Sequence, residues 1–261
     1  MSGAIWLLGA GNMGGAMLRG WISDGMDPTR ITAIDPFVKD VPQGVGLVRE
    51  IPAMGSPDTL VLAVKPQQLG EVRAPFAGRG GLRLLVSVLA GVETATLANA
   101  FAPRHVVRAM PNLPASIGKG VTVLFGDAAI RDEAAGLMAP LGLVEWIDDE
   151  TLFDAVTALS GSGPGYVFRF IDSMADAGAA LGLDPGQALR LAIATVDGAA
   201  ELAARSAEGP AVLADRVASP GGTTREGLDV LDEAGAMRTL MRRTLAAAAK
   251  RSAELAAAAR G

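Results

Sequence analysis

The chain contains no cysteine, one histidine and one tyrosine, and only 4% of its 261 residues are aromatic. Without cysteine a disulfide scaffold is excluded, and a reducing, cytoplasmic setting is expected. A basic excess is missing too: 23 Lys and Arg stand against 28 Asp and Glu, a net charge of −5. No nucleic-acid partner is therefore expected. Long apolar runs are absent. Leu60-Val61-Leu62-Ala63-Val64 falls far short of the ~20 residues a membrane span requires, so no membrane partner is expected either. Met1-Ser2-Gly3 offers no basic region ahead of an apolar stretch, and no secretion signal is expected. No set of residues is expected to hold a metal. What is present is 50% hydrophobic and 20% charged residues, the balance of a chain that buries a core. The length suits one large domain or two modest ones.

Composition changes about halfway. Short apolar runs bounded by Gly, Pro, Asp or Asn predict strands at Ile5–Leu8, Ile31–Ile34, Thr59–Val64, Leu84–Val88, Val106–Ala109 and Val121–Phe125. Amphipathic stretches such as Asn12–Ser23 and Thr94–Ala100 lie between several of them. Alternation of this kind predicts a mostly parallel sheet covered on both faces, ending near Val144–Ile147. From Thr151 onward no strand is predicted; helices are expected at Val167–Leu181, Pro185–Arg205, Ala211–Val217 and Ala236–Ala259. Asp184 before Pro185 is a helix-start signal. The last 91 residues hold 26 alanines, and no aromatic follows Phe170. Helices with such thin apolar faces cannot fill a thick core alone, and the helical half is expected to pair with a second copy.

The strongest local signal is Leu8-Gly9-Ala10-Gly11-Asn12-Met13-Gly14, a G-x-G-x-x-G run directly after one strand and opening a helix. Gly9 allows the tight turn, Gly11 removes the Cβ where a pyrophosphate approaches, and Gly14 lets helix and strand pack closely. The helix N-terminus offers amide donors and partial positive charge to the phosphates. Asp35 ends the second strand at the distance where an acidic residue binds the adenosine ribose and repels a 2′-phosphate, which leans towards NADH. Two alternatives stay open: Asp35 caps the turn before Pro36, or Lys39 meets a phosphate. The cofactor is thus expected to be NADH or NADPH.

Four further segments are not generic dinucleotide-binding sequence: Leu62-Ala63-Val64-Lys65-Pro66-Gln67, Arg108-Ala109-Met110-Pro111-Asn112, Ser160-Gly161-Ser162-Gly163-Pro164-Gly165-Tyr166 and Ala218-Ser219-Pro220-Gly221-Gly222-Thr223-Thr224. With Gly-Ala-Gly-Asn-Met at the start, in this order and spacing, the chain resembles the pyrroline-5-carboxylate reductases over essentially its whole length. The resemblance implies an α/β fold: a Rossmann-like dinucleotide-binding domain at 1–150, then an all-helical substrate-binding and dimerisation domain at 151–261. It implies a cofactor lying across Gly9, Gly11, Asn12, Met13 and Gly14, the Ala63-Val64-Lys65-Pro66 turn and Val88-Leu89-Ala90. It also implies a homodimer or a larger ring of dimers.

The implied substrate site is the loop of Ser219, Gly221, Gly222, Thr223 and Thr224. Read as chemistry, it is a glycine turn with uncovered amides and three hydroxyls ahead of a predicted helix, which suits a carboxylate. The implied reaction passes a hydride from NAD(P)H to the C=N bond of 1-pyrroline-5-carboxylate, giving L-proline in the last step of proline biosynthesis. Thr224 is expected to hydrogen-bond the ring nitrogen, since a hydroxyl both donates and accepts. The sole histidine, His105, lies outside every motif and is expected to take no catalytic part. Arg108 and Asn112 are expected to brace their turn, and Ser160–Gly165 to form either a helix start beside the nicotinamide or a turn that serves packing alone. Lys65 is expected to support its loop rather than act as a general acid. Asp35 and Arg216 depart from the family's usual residues and bear on cofactor choice. Alternatives are a reductase of another cyclic imine and a non-catalytic dinucleotide-binding sensor. A β-hydroxyacid dehydrogenase is opposed by the absence of lysine between Thr151 and Arg190.

Overall fold

The computed structural model describes residues 3–260, with side chains described as far as 257. Met1 and Ser2, on which the reading of the chain's opening partly rests, lie outside that range. The described chain divides into two compact units, residues 1–162 with 248–261, and residues 163–247.

The first unit carries eight strands in one sheet, ordered β3-β2-β1-β4-β5-β6-β7-β8. The strands are β1 (Ile5–Leu8), β2 (Ile31–Ile34), β3 (Gly46–Val48), β4 (Thr59–Leu62), β5 (Leu84–Ser87), β6 (His105–Pro111), β7 (Gly120–Gly126) and β8 (Gly142–Trp146). Every neighbouring pair is parallel except β6 with β7. Helices α1 (Asn12–Ser23), α2 (Leu69–Arg73), α3 (Thr94–Phe101), α4 (Arg131–Met138) and α5 (Phe153–Val156) follow in chain order. Because side chains alternate across a strand, β1 serves two cores. Ile5 and Leu7 join Met17, Trp21 and Leu137, while Trp6 and Leu8 join Leu60, Phe76 and Phe101. Both faces are thus covered, as the near-continuous apolar strands predicted. Trp21 is wholly buried, and its indole N–H donates to the Leu137 carbonyl at 2.7 Å.

Strand order reverses at β1, whose two neighbours are β2 and β4. Such a reversal opens a crevice beyond the carboxyl ends of the strands. Two details differ from the sequence expectation. The edge strand β3 was not foreseen; it has three residues, begins with glycine and is only half buried, too short to carry a pattern. The strands expected to run to Val64 and Val88 stop at Leu62 and Ser87, leaving those ends in the turns beyond them.

The second unit is helical: α6 (Gly163–Ala180), α7 (Pro185–Arg205), α8 (Pro210–Val217), α9 (Thr223–Asp232) and the start of α10 (Ala236–Arg260). Asp184 caps α7 by accepting the Gln187 N–H at 2.9 Å, with Pro185 in the first turn, as its sequence indicated. Helices α6 and α7 come close at Gly178, where an added Cβ would lie 3.4 Å from that of Ala188. Among the described residues of this unit only Ala188, Ala192 and Ala218 are buried apolar side chains. Its larger ones stand open: Leu181 is 89% and Val230 68% exposed.

Candidate functional site

The Gly9–Gly14 turn sits where the strand order reverses, and its glycines have three separate physical reasons. Gly9 has φ +91°, and a Cβ there would stand 2.6 Å from the Ala63 carbonyl oxygen. At Gly14 a Cβ would stand 2.0 Å from the Gly9 carbonyl oxygen. At Gly11 a Cβ would meet nothing within 4 Å. Two glycines therefore permit the chain's own packing, and the third leaves open space at the N-terminus of a twelve-residue helix that no side chain caps. Exposed Asn12 and part-exposed Met13 follow it. Open space, unclaimed helix-end amides and a partial positive charge fit a dinucleotide pyrophosphate.

Asp35 is 8% exposed, and its carboxylate is already engaged. One oxygen accepts the Ala10 N–H at 2.8 Å; the other accepts those of Phe37 at 2.8 Å and Val38 at 3.0 Å. Burial works to raise its pKa, but these three amides and nearby Arg49 hold the carboxyl below the usual range. Asp35 thus ties the glycine turn to the end of β2 and caps the turn at Pro36, the alternative left open above. Sequence distance from Gly14 cannot separate that role from ribose binding. Lys39 is exposed.

The turns after β4 and β5 stand at the same end of the sheet. The Ala63 N–H donates to Leu8 at 2.7 Å and that of Val88 to Leu62 at 2.9 Å, so each turn leaves directly from the ladder. The Lys65 N–H donates to the Gln68 side chain at 3.1 Å, fixing the short helical turn that opens with Pro66. Leu89 is buried in the core, between part-exposed Val88 and exposed Ala90. Buried Ser87 accepts the Leu89 N–H at 3.3 Å and holds this turn; nothing in its sequence setting marked it. A cavity of about 500 Å³ joins Pro66 and Ala90 to Thr157, Ser162 and the face of α10 at Arg251 and Ser252.

Met110 and Pro111 form no turn but belong to β6, so Arg108 and Asn112 brace other segments than expected. The Arg108 guanidinium pairs with Glu150 at 3.2 Å and lies 4.0 Å over the Phe153 ring. Glu150 also accepts from the N–H and hydroxyl of Thr94. Asn112 bridges Val121 and Ser160. The Ser160–Gly165 segment does contain a helix start, Gly163, preceded by a π-helical turn over Thr157–Gly161. His105 opens β6, opposite the strand ends just described, with Nδ1 2.5 Å from an Asp127 carboxylate oxygen.

In the helical unit, Gly221 has φ +68°, and the Gly222 N–H closes a tight turn on the Ser219 carbonyl at 2.9 Å. Gly222 is the N-cap of α9, with no side-chain cap. Ser219, Gly221, Thr223 and Thr224 are exposed and Gly222 is partly so, which leaves their hydroxyls and the first amides of α9 open to a carboxylate. Sequence reasoning passed over Arg225, which pairs with Asp215 at 2.7 Å and so fastens the loop's far side to α8. Arg216 pairs with Glu208 at 2.6 Å on the surface.

Comparison with known proteins places these features in context. A family model described as pyrroline-5-carboxylate reductase dimerisation matches residues 150–255. One described as NADP oxidoreductase, coenzyme F420-dependent, matches residues 4–91. The pyrroline-5-carboxylate reductase of Pseudomonas aeruginosa is 38% identical, covering 97% of this chain and 96% of that one. That of Escherichia coli is 34% identical over 90% and 92%. Among solved structures, a pyrroline-5-carboxylate reductase from Coxiella burnetii superposes with TM-score 0.87 at 33% identity, covering 98% and 99%. A Plasmodium falciparum pyrroline carboxylate reductase with NADP bound has TM-score 0.78 at 25% identity over 96% and 97%.

Proposed function

The chain belongs to the pyrroline-5-carboxylate reductase family, and from that premise we propose that it reduces the C=N bond of 1-pyrroline-5-carboxylate to give L-proline with NADPH or NADH. When bound, the reduced nicotinamide supplies a hydride to the ring carbon of that bond, and a proton on the ring nitrogen completes the amine. The chain's own residues do the rest. Gly11 and the first amides of α1, with Asn12 and Met13, receive the pyrophosphate. Ala63, Val64, Lys65 and Pro66, with the backbone of Val88, Leu89 and Ala90, line the crevice that orients the ring end. Asp35 shapes the adenosine end by holding Ala10, and it rejects a 2′-phosphate only if a ribose reaches its carboxylate.

The observation that carries the substrate side is the open hydroxyl-and-amide turn at the start of α9. Ser219, Gly221, Gly222 and Thr223 hold the carboxylate, and the Thr224 hydroxyl bonds the ring nitrogen, accepting from an iminium or donating to an imine. Holding both groups presents one ring face to the hydride, and the rate gain comes from orientation. An imine is already electrophilic, which accords with a site that has no histidine. The sheet unit binds the dinucleotide; the helical unit binds substrate and joins a second copy, as a homodimer or a ring of dimers. No helix of the described chain is long and apolar enough to cross a membrane, and we place the enzyme in the cytoplasm.

The test mixes purified protein with 1-pyrroline-5-carboxylate and NADH or NADPH, following loss of reduced-nicotinamide absorbance. Turnover with either cofactor is expected; none with both overturns the reading. Thr224→Ala is expected to lower kcat by about 10- to 100-fold while cofactor affinity stays within about twofold. A loss of cofactor affinity with unchanged turnover of the bound complex overturns the role of Thr224.

A further inference from the structure

Two motifs have so far no part in the reaction, Met110-Pro111-Asn112 and Ser160-Gly161-Ser162, and the fold packs them together. A Cβ on Gly161 would lie 3.9 Å from the Met110 sulfur. The Asn112 side chain lies beside it, and the residue is 8% exposed. Its Nδ2 donates to the Ser160 carbonyl at 3.0 Å, and its Oδ1 accepts the Val121 N–H at 2.8 Å. One partner is an acceptor and the other a donor, so the network fixes which way the amide points.

The Ser160 carbonyl needs such a donor for a reason written in the sequence. In a helix it would accept from the residue four further on, which is Pro164, and proline has no N–H. The chain widens there into a π turn, Thr157–Gly161, closed by the Ser162 N–H on the Thr157 carbonyl at 2.8 Å. Single π turns are rare and frequently mark functional sites. Thr157 and Ser162, the two ends of that bond, line the cavity shared with Pro66 and Ala90.

We propose that Asn112 is a positioning residue for hydride transfer: by holding the Ser160 carbonyl it sets the π turn whose Thr157 and Ser162 wall the cavity beside the cofactor loops. This rests on the reading that the turns at Pro66 and Ala90 orient the nicotinamide. Asn112 itself touches neither cofactor nor substrate. Its effect passes through the turn, and a displacement of about 1 Å at a reacting site is enough to cost up to 100-fold in rate.

Asn112→Asp tests it, because the carboxylate still accepts from Val121 but sets a second oxygen against the Ser160 carbonyl. Expected are a kcat about 10-fold lower, a cofactor Kd within about twofold, and faster amide hydrogen exchange at Ser162 with Val121 still protected. Unchanged kcat despite faster exchange at Ser162, or lower kcat with unchanged exchange, overturns the proposal. Should that variant not fold, Thr157→Val replaces a hydroxyl of the wall by a methyl group and Ser162→Ala removes one. A kcat lowered by about threefold or more at unchanged cofactor Kd in either supports the proposal, and normal kcat in both overturns it. The exchange readout needs no substrate. Failure of this proposal is therefore distinct from failure of the reductase reading, which shows as wild-type protein without turnover.

Discussion

In the sheet unit Trp21, Leu60 and Phe153 are withdrawn from water almost entirely, whereas in the helical unit Phe168, Leu202 and Val230 are each more than half exposed. Both units come from one chain of ordinary hydrophobicity, so the difference lies in arrangement. Six parallel strand pairings and the helices over them use both faces of β1, and every inward position finds a neighbour. The helices of residues 163–247 bury alanines against each other and leave their larger apolar residues outward. Fully burying a Leu, Val or Phe side chain is worth about 1.5–3 kcal/mol, so a surface with this many left open marks an interaction site. The match to a dimerisation model over residues 150–255 identifies the partner as another copy.

The contrast can be broken by truncating one residue in each unit. Trp21→Ala removes the largest wholly buried side chain and its hydrogen bond. It is expected to cost about 3–5 kcal/mol, a loss that is the same at every protein concentration in thermal or denaturant melts. Leu202→Asp with Val230→Asp, both on the open helical surface, is expected to shift sedimentation from oligomer to monomer. The wild-type melting midpoint should rise with concentration and that of the double variant should not. A double variant that stays oligomeric would mean these faces are not the contact.

A second cut sharpens the roles of glycines inside the sheet unit. Gly11→Ala adds a methyl group to open space, so the melting midpoint is expected to stay unchanged while cofactor Kd rises about tenfold, or 1.4 kcal/mol. Gly14→Ala, which drives a Cβ into the Gly9 carbonyl, should lose both. If Gly11→Ala binds cofactor normally, the pyrophosphate does not lie there.

The smallest effect concerns Asp35. Its carboxyl is held below the ordinary range in the folded chain, so its ionised form stabilises the fold fully above the unfolded pKa of about 3.9 and loses that contribution as pH falls through the lower folded value. Asp35→Asn removes the ionised acceptor and is expected to cost about 1 kcal/mol near neutrality. The gap from wild type should close below about pH 4. A gap that persists in acid would assign the loss to packing rather than charge.

Much of this was legible in the sequence, and the exceptions share a cause. Leu8-Gly9 through Gly14 and Asp184-Pro185 declare a strand end and helix starts because caps, glycines and prolines act on their nearest neighbours. The Ser219–Thr224 loop was legible through the resemblance, and as chemistry through its glycines and hydroxyls. What stayed hidden depends on distant partners. Glu150 reaches Thr94 and Arg108, Ser87 steadies Leu89, and the carboxylate of Asp35 goes to Ala10, 25 residues back. No local pattern encodes those meetings. The expected helix over Ala236–Ala259 is present as α10, but its composition did not disclose that residues from 248 onward belong with the sheet.

That last feature reaches beyond the finished molecule. Gly91 lies against Ala256, and the Ser252 hydroxyl donates to Asp154 at 2.7 Å, so the sheet unit joins stretches that precede and follow the helical unit in sequence. A ribosome delivers the N-terminal portion first, yet that portion meets Ser252 and Ala256 only after residues 163–247 have been made. The nascent sheet must wait, with the floor beside Gly91 bare, until α10 has emerged.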